Sequence, residues 1–165
     1  MGRSFTNLER VQRLMSTKST SDYSTSRSTG DKLDVADASG CLRYINTNYH
    51  DDDKAIMQIA VNCYVYNRDM ERLHSHLVQL AMTAYKTPKM GQKYANTMAQ
   101  IVCDEIVGKS KNDSEKAKAL DVDKSVYSRC HAPVFAIVFS EIFEPISKAD
   151  NLAGLYWREC KNPAI

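Results

Sequence analysis

The sequence predicts an all-α protein: one helical body of five or six helices behind a flexible, Ser/Thr-rich N-terminal arm. Three observations predict it. Apolar residues recur at three- and four-residue steps through most of the chain after Leu33. Thr87-Pro88 and Gly108 bracket a long segment as start and stop signals of a single helix. From Ser16 to Thr29, ten of the fourteen residues are Ser or Thr, too poor in large apolar side chains to offset the entropy of their own ordering. The division predicted is residues 1–32 for a short helix and polar arm, and residues 33–165 for the helical body.

Composition narrows the function classes. A chain of 165 residues with 43% apolar residues can bury one sizeable core, and a net charge of +2 forces neither nucleic acid nor membrane as partner. The longest strongly apolar run, Val134 to Phe139, falls far short of the roughly 20 residues that span a bilayer. No secretory layout opens the chain, so the expectation is a cytoplasmic protein with no membrane partner. The start MGRSFT matches the loose N-myristoylation pattern, which would carry meaning only in a eukaryotic host. Five cysteines at wide spacing, with no CxxC pair, predict reduced thiols that serve as small core residues.

Each element has its own local signal. Phe5, Leu8, Val11, Leu14 and Met15 recur at helical spacing, predicting a short amphipathic helix that is marginal alone. With the body's apolar stripes placed after Leu33, removal of Met1 to Gly30 is expected to leave the body folded. A small helix follows from Leu33 to Ile45. Asp51, Asp52 and Asp53 sit in the first turn of the next helix, where negative charge suits the dipole; a divalent ion is the competing use of three carboxylates. Ala55, Ile56, Ile59, Ala60 and Cys63 form that helix's inner stripe.

Asn67 is placed as cap of a helix whose Met70, Leu73, Leu77, Leu80, Ala81 and Ala84 share one face. His74 and His76, two apart, cannot chelate one zinc and are placed on the surface. The helix from Pro88 to Val107 turns Tyr94, Met98, Ile101 and Val102 inward. With its predecessor it has the outline of a helix-turn-helix, and equally of an antiparallel bundle hairpin. Lys109 to Lys124 is a polar loop with a turn or two of exposed helix. Pro133 opens a buried apolar helix stopped near Pro145, Ser147 caps a last helix carrying Leu152, Leu155 and Tyr156, and Trp157 anchors the end.

No phosphate loop, HExxH, GxSxG or zinc-finger spacing occurs, so neither catalytic residues, metal ligands nor a cofactor site are assigned. His131 beside Cys130 makes no nucleophile and base pair by adjacency alone. Charge is local. Lys86 to Arg129 holds nine basic and six acidic residues, and the first 32 residues hold six and three. Each is a solvated face or a phosphate-contacting one. On the second reading the candidate nucleic-acid-binding residues are Arg27, Lys86, Lys89, Lys93, Lys109, Lys111 and Arg129.

The order of segments resembles the Q-type late antitermination factors of lambdoid bacteriophages. STKSTSDYSTSRSTGDKLDVADA supplies Ser26, Arg27, Ser28, Thr29, Asp31, Leu33, Asp34 and Val35 in matching order, without the proline usual before Arg27. DDDKAIMQIA from Asp51, KMGQKYANTMAQIVCDEIVGKS from Lys89, and Tyr127-Ser128-Arg129 are similar to later segments of that family. Its zinc-binding insertion is missing, for Ser110 to Ser128 contains no cysteine. The resemblance implies a factor that binds DNA near a late promoter and loads onto paused host RNA polymerase. It then restricts pausing and terminator hairpins, with the nascent RNA as a further contact, inside the host bacterial cell. The alternative is a structural or host-takeover phage protein acting through protein-protein contacts.

Overall fold

The structure, a computed structural model, describes residues 5–16 and 35–160, the side chain of Cys160 excepted. Gly2 of the myristoylation-like start and the Ser/Thr ribbon after Ser16, Arg27 included, lie outside the described residues. Among those described, the fold is all-α. Its helices are α1 (Thr6–Ser16), α2 (Val35–Asn48), α3 (Lys54–Tyr66), α4 (Met70–Ala84), α5 (Pro88–Ile106), α6 (Asp113–Leu120), α7 (Lys124–Val126) and α8 (Ala132–Leu155). Two π-helical turns, Tyr127–His131 and Tyr156–Cys160, flank α8. No helix among the described residues is long and apolar enough to cross a membrane.

The long helix α8 forms the axis of the core, packed against α1, α2, α3, α4 and α5. Val138, Ile142, Ile146, Ala149 and Ala153 make its fully buried stripe at steps of three and four. Phe135 stacks on Phe139, Phe139 meets Phe143 one turn on at a 31° tilt, and Phe143 meets Phe5 at 5.4 Å between ring centroids. The predicted stop at Pro145 does not occur, since α8 runs straight through it. Proline costs about 3 kcal/mol inside a helix. Pro145 and Ile146 are themselves buried, and the apolar burial gained by continuing the stripe outweighs that cost. Ser147, Leu152 and Leu155 therefore lie inside α8 rather than in a separate helix.

The core does not begin after Leu33. Leu8 and Val11 on α1 have no solvent exposure, and Phe5 has 5%. Asp150 on α8 accepts the Leu8 amide at 2.9 Å and the Asn7 side-chain amide at 3.2 Å, satisfying a first-turn donor that α1 cannot pair itself. Trp157, nearly buried as the sequence suggests, donates its indole N–H to the Asn7 carbonyl at 3.2 Å, and the guanidinium of Arg10 lies 5.1 Å from its ring. The helix called marginal alone is held by residues from the far end of the chain.

Around α3, three expectations change. Asp53 occupies the N-cap position without capping through its side chain. Its carboxylate instead accepts the Tyr49 hydroxyl at 2.6 Å and, with Asp51, the Lys148 ammonium at 3.4 and 2.9 Å. The acidic run is thus part of an ion-pair clasp onto α8, and burial together with Asp53 pushes the Tyr49 phenol well above its usual range. The inner stripe of α3 is Met57, Ala60, Val61, Cys63 and Val65, while Ala55 is exposed. Asn67 ends α3 in the left-handed conformation (φ 56°), and the N-cap of α4 is Asp69.

Thr87 caps α5 as predicted, its hydroxyl accepting the Met90 amide at 3.2 Å with Pro88 in the first turn. Gly108 turns the chain away at φ +89°, a conformation that costs other residues a Cβ clash. The polar stretch that follows is more ordered than a loop. Asn112 and Glu115 form a reciprocal capping box at 2.8 and 2.9 Å, and α6 buries Ala117 and Leu120. Lys116 is only 7% exposed, with its ammonium 3.6 Å from the centroid of the Phe135 ring, a favourable cation–π contact.

Candidate nucleic-acid interface

Helices α4 and α5 lie side by side along their length. His74 contacts the Asn96 carbonyl at 3.2 Å, and a Cβ on Gly91 would stand 3.3 Å from the Met82 carbonyl oxygen. Residues pair with falling number on α4 and rising number on α5, which makes an antiparallel hairpin. A helix-turn-helix crossing would meet only near the turn. The bundle-hairpin alternative is the one observed. His74 and His76 are half-buried rather than fully on the surface, and burial holds the His76 imidazole below its usual pKa.

The inward side of α5 is packed by Gly91, Ala95, Met98, Ala99, Ile101, Val102, Cys103 and Ile106. Tyr94, expected inward, is half-buried at the edge. What remains for solvent is Lys89, Gln92, Lys93, Asn96 and Gln100, five polar residues at helical spacing. On α4 the outward residues from Arg72 are Ser75, Gln79, Met82 and Thr83, followed by Lys86 in the turn. From Arg72 to Cys103 the chain contains no Asp or Glu, although it holds 20 of them in all. The turn end of the hairpin and most of its length thus carry fixed charge of one sign, while the acids of the two helices, Glu71 on α4 and Asp104 and Glu105 on α5, lie at the far end. The N-terminal end of the α5 dipole adds to that charge beside Lys86 and Lys89.

The candidate residues divide into groups. Lys86, Lys89 and Lys93 are exposed and adjoin at the turn and first turns of α5. Lys109 is exposed beyond the opposite end, and a helix of this length holds the two groups roughly 28 Å apart. Lys111, one-third exposed, is already engaged by Asp104 at 2.7 Å. Arg129 is exposed on the π-helical turn before α8. Arg27 lies outside the described residues.

That π turn is tied to the hairpin by a feature absent from the sequence-based expectations. His131, 1% exposed, hydrogen-bonds through Nδ1 to the Tyr85 hydroxyl at 2.7 Å. Tyr94 packs edge-on to its ring at 4.5 Å and Tyr127 stacks at 6.2 Å. The Lys93 ammonium lies 5.3 Å from the Tyr94 ring. Burial holds the His131 imidazole below its usual pKa and pushes the Tyr127 phenol up to about 12.

Elsewhere, a groove of about 370 Å³ between α2 and α3 is lined by Leu42, Ile45, Met57, Ile59 and Val61 with Arg72 at its edge. Among the described residues no three His, Cys, Asp or Glu side chains group as metal ligands. Among the described residues Cys41, Cys63 and Cys103 are buried, Cys130 is half-buried, and none of the four forms a disulfide. No family model matches the chain, and neither a curated protein nor a solved structure matches it.

Proposed function

We propose that this chain is a bacteriophage transcription antitermination factor that binds promoter-region DNA and host RNA polymerase and promotes readthrough of pauses and terminators. One observation carries the nucleic-acid part: the acid-free stretch Arg72–Cys103 of the α4–α5 hairpin, with Lys86, Lys89 and Lys93 exposed at its turn end. Lysines there neutralise phosphates and release counterions, while Gln92 and Asn96 between them carry the paired donor and acceptor that base edges present. An acidic residue within such a surface would repel the backbone and weaken every contact. The polymerase and the antitermination step come from the resemblance in segment order to the Q-type factors.

The family's zinc module has no counterpart in the sequence. In its place the chain supplies α6, stabilised by the Asn112–Glu115 capping box and by burial of Ala117 and Leu120, followed by the three-residue α7. Folding of that connection thus has a cause that does not involve metal.

Transcription in vitro across a terminator downstream of the cognate late promoter tests the proposal. Adding the protein is expected to raise readthrough, and the K86A/K89A/K93A variant is expected to raise it less. Unchanged readthrough with the wild-type protein would sink the antitermination claim.

A further inference from the structure

We propose that the Tyr85–His131 hydrogen bond is a positioning pair. It holds the π turn carrying Arg129 against the hairpin end carrying Lys86, Lys89 and Lys93, so that the four cations act as one phosphate-binding surface. The proposal rests on the nucleic-acid reading of the hairpin and deepens it.

Three observations carry it. Tyr85 and Lys86 are neighbours at the end of α4, and His131 stands two residues after Arg129 in the same five-residue π turn. In each pair one side chain is buried and the other exposed, so the buried bond fixes where the exposed cations emerge. The bond joins residues 46 apart in sequence and is enclosed by Tyr94 and Tyr127, with Lys93 over the outer ring.

Chemistry explains why such a pair is polar. Two apolar side chains of the same shape would fill this volume with no desolvation cost, and replacing a buried pair in that way is often neutral or stabilising. What the hydroxyl and imidazole add is direction. A hydrogen bond fixes the relative placement of two segments more narrowly than dispersion contacts do. The π-helical geometry is consistent with that role: the wider turn sets His131 inward while Arg129 stays in solvent, and such turns occur often at functional sites.

A double-mutant cycle tests it. Fluorescence anisotropy with a labelled mixed-sequence DNA duplex at low salt compares wild type, Y85F, R129Q and Y85F/R129Q, all full-length. Y85F and R129Q are each expected to weaken binding by roughly tenfold, the size of one charge-assisted contact. The double variant is expected to bind no more weakly than R129Q, because the Tyr85 hydroxyl acts through Arg129. Losses that multiply, or a Y85F protein that binds as wild type, overturn the pair's role and leave the hairpin reading standing.

Absence of salt-dependent binding by wild type overturns the hairpin reading and the pair's role with it. If Y85F does not melt cooperatively, His131 variants decide. H131Q, whose amide oxygen can accept the Tyr85 hydroxyl, is expected to bind close to wild type, and H131L as weakly as R129Q. Equal binding by H131Q and H131L overturns the proposal.

Discussion

Asp150 caps the N-terminus of α1 across 142 residues of sequence, accepting the Leu8 amide at 2.9 Å. Loss of a side-chain cap costs about 1–2 kcal/mol, so D150A is expected to lower stability by that amount in urea unfolding, with D150N intermediate. No change in the midpoint would show that α1 needs no cap from α8.

The same packing reverses the expectation for removal of the N-terminus. Burial of Phe5, Leu8 and Val11 is worth about 1.5–3 kcal/mol each, a sum comparable with the whole stability of a typical domain. Deletion of residues 1–16 is expected to abolish cooperative unfolding. A truncated protein that melts as sharply as the full chain would contradict the placement of α1 in the core.

Burial lowers the pKa of His131, so the folded state holds its imidazole neutral while the unfolded chain titrates near pH 6.5. Above that pH neither state gains a proton and stability is unaffected. Below it the unfolded state binds the extra proton, and stability falls by up to about 1.4 kcal/mol per pH unit. The His76 imidazole acts in the same direction. Chemical denaturation from about pH 7 to about pH 5 should therefore show a steeper loss for wild type than for H131Q, which lacks the titrating group. Equal slopes would mean that His131 accepts its proton without disturbing the fold.

How much of this was legible in the sequence depends on the range of the interactions. Thr87, Pro88 and Gly108 set the limits of α5 through chemistry confined to a few residues, and all three were readable. Continuation of α8 through Pro145 was not, because tertiary burial of Ile142, Ile146 and Ala149 overrides a local preference. Asn67 and Asp69 are both cap-type residues two positions apart, and composition cannot say which ends α3 and which begins α4. The partners of α1 and of His131 lie far away in the chain, beyond any periodicity. The acid-free run was visible in principle. Charge counted from Lys86 onward joins α5 to the acidic residues of α6 and loses the contribution of α4.

Thiol reactivity follows from burial. The Cys63 thiol is pushed up to about 11 and the Cys103 thiol to about 12, chiefly by desolvation, and Cys41 is fully buried. In a C160S background, an aromatic disulfide reagent at neutral pH is expected to modify Cys130 and to reach the other three only after denaturation. Rapid modification of Cys63 or Cys103 in the native protein would contradict their place in the core.

The central claim is that the α4–α5 hairpin contacts phosphate through Lys86, Lys89 and Lys93. Its most direct test is the slope of log affinity against log salt for duplex DNA, wild type against K86Q/K89Q/K93Q, with K111Q as a control whose lysine is already held by Asp104. Each lost phosphate contact should lower the slope by about 0.9, so the triple variant should fall by roughly 2.7 and K111Q hardly at all. A wild-type slope near zero, or a triple variant with the wild-type slope, would contradict it.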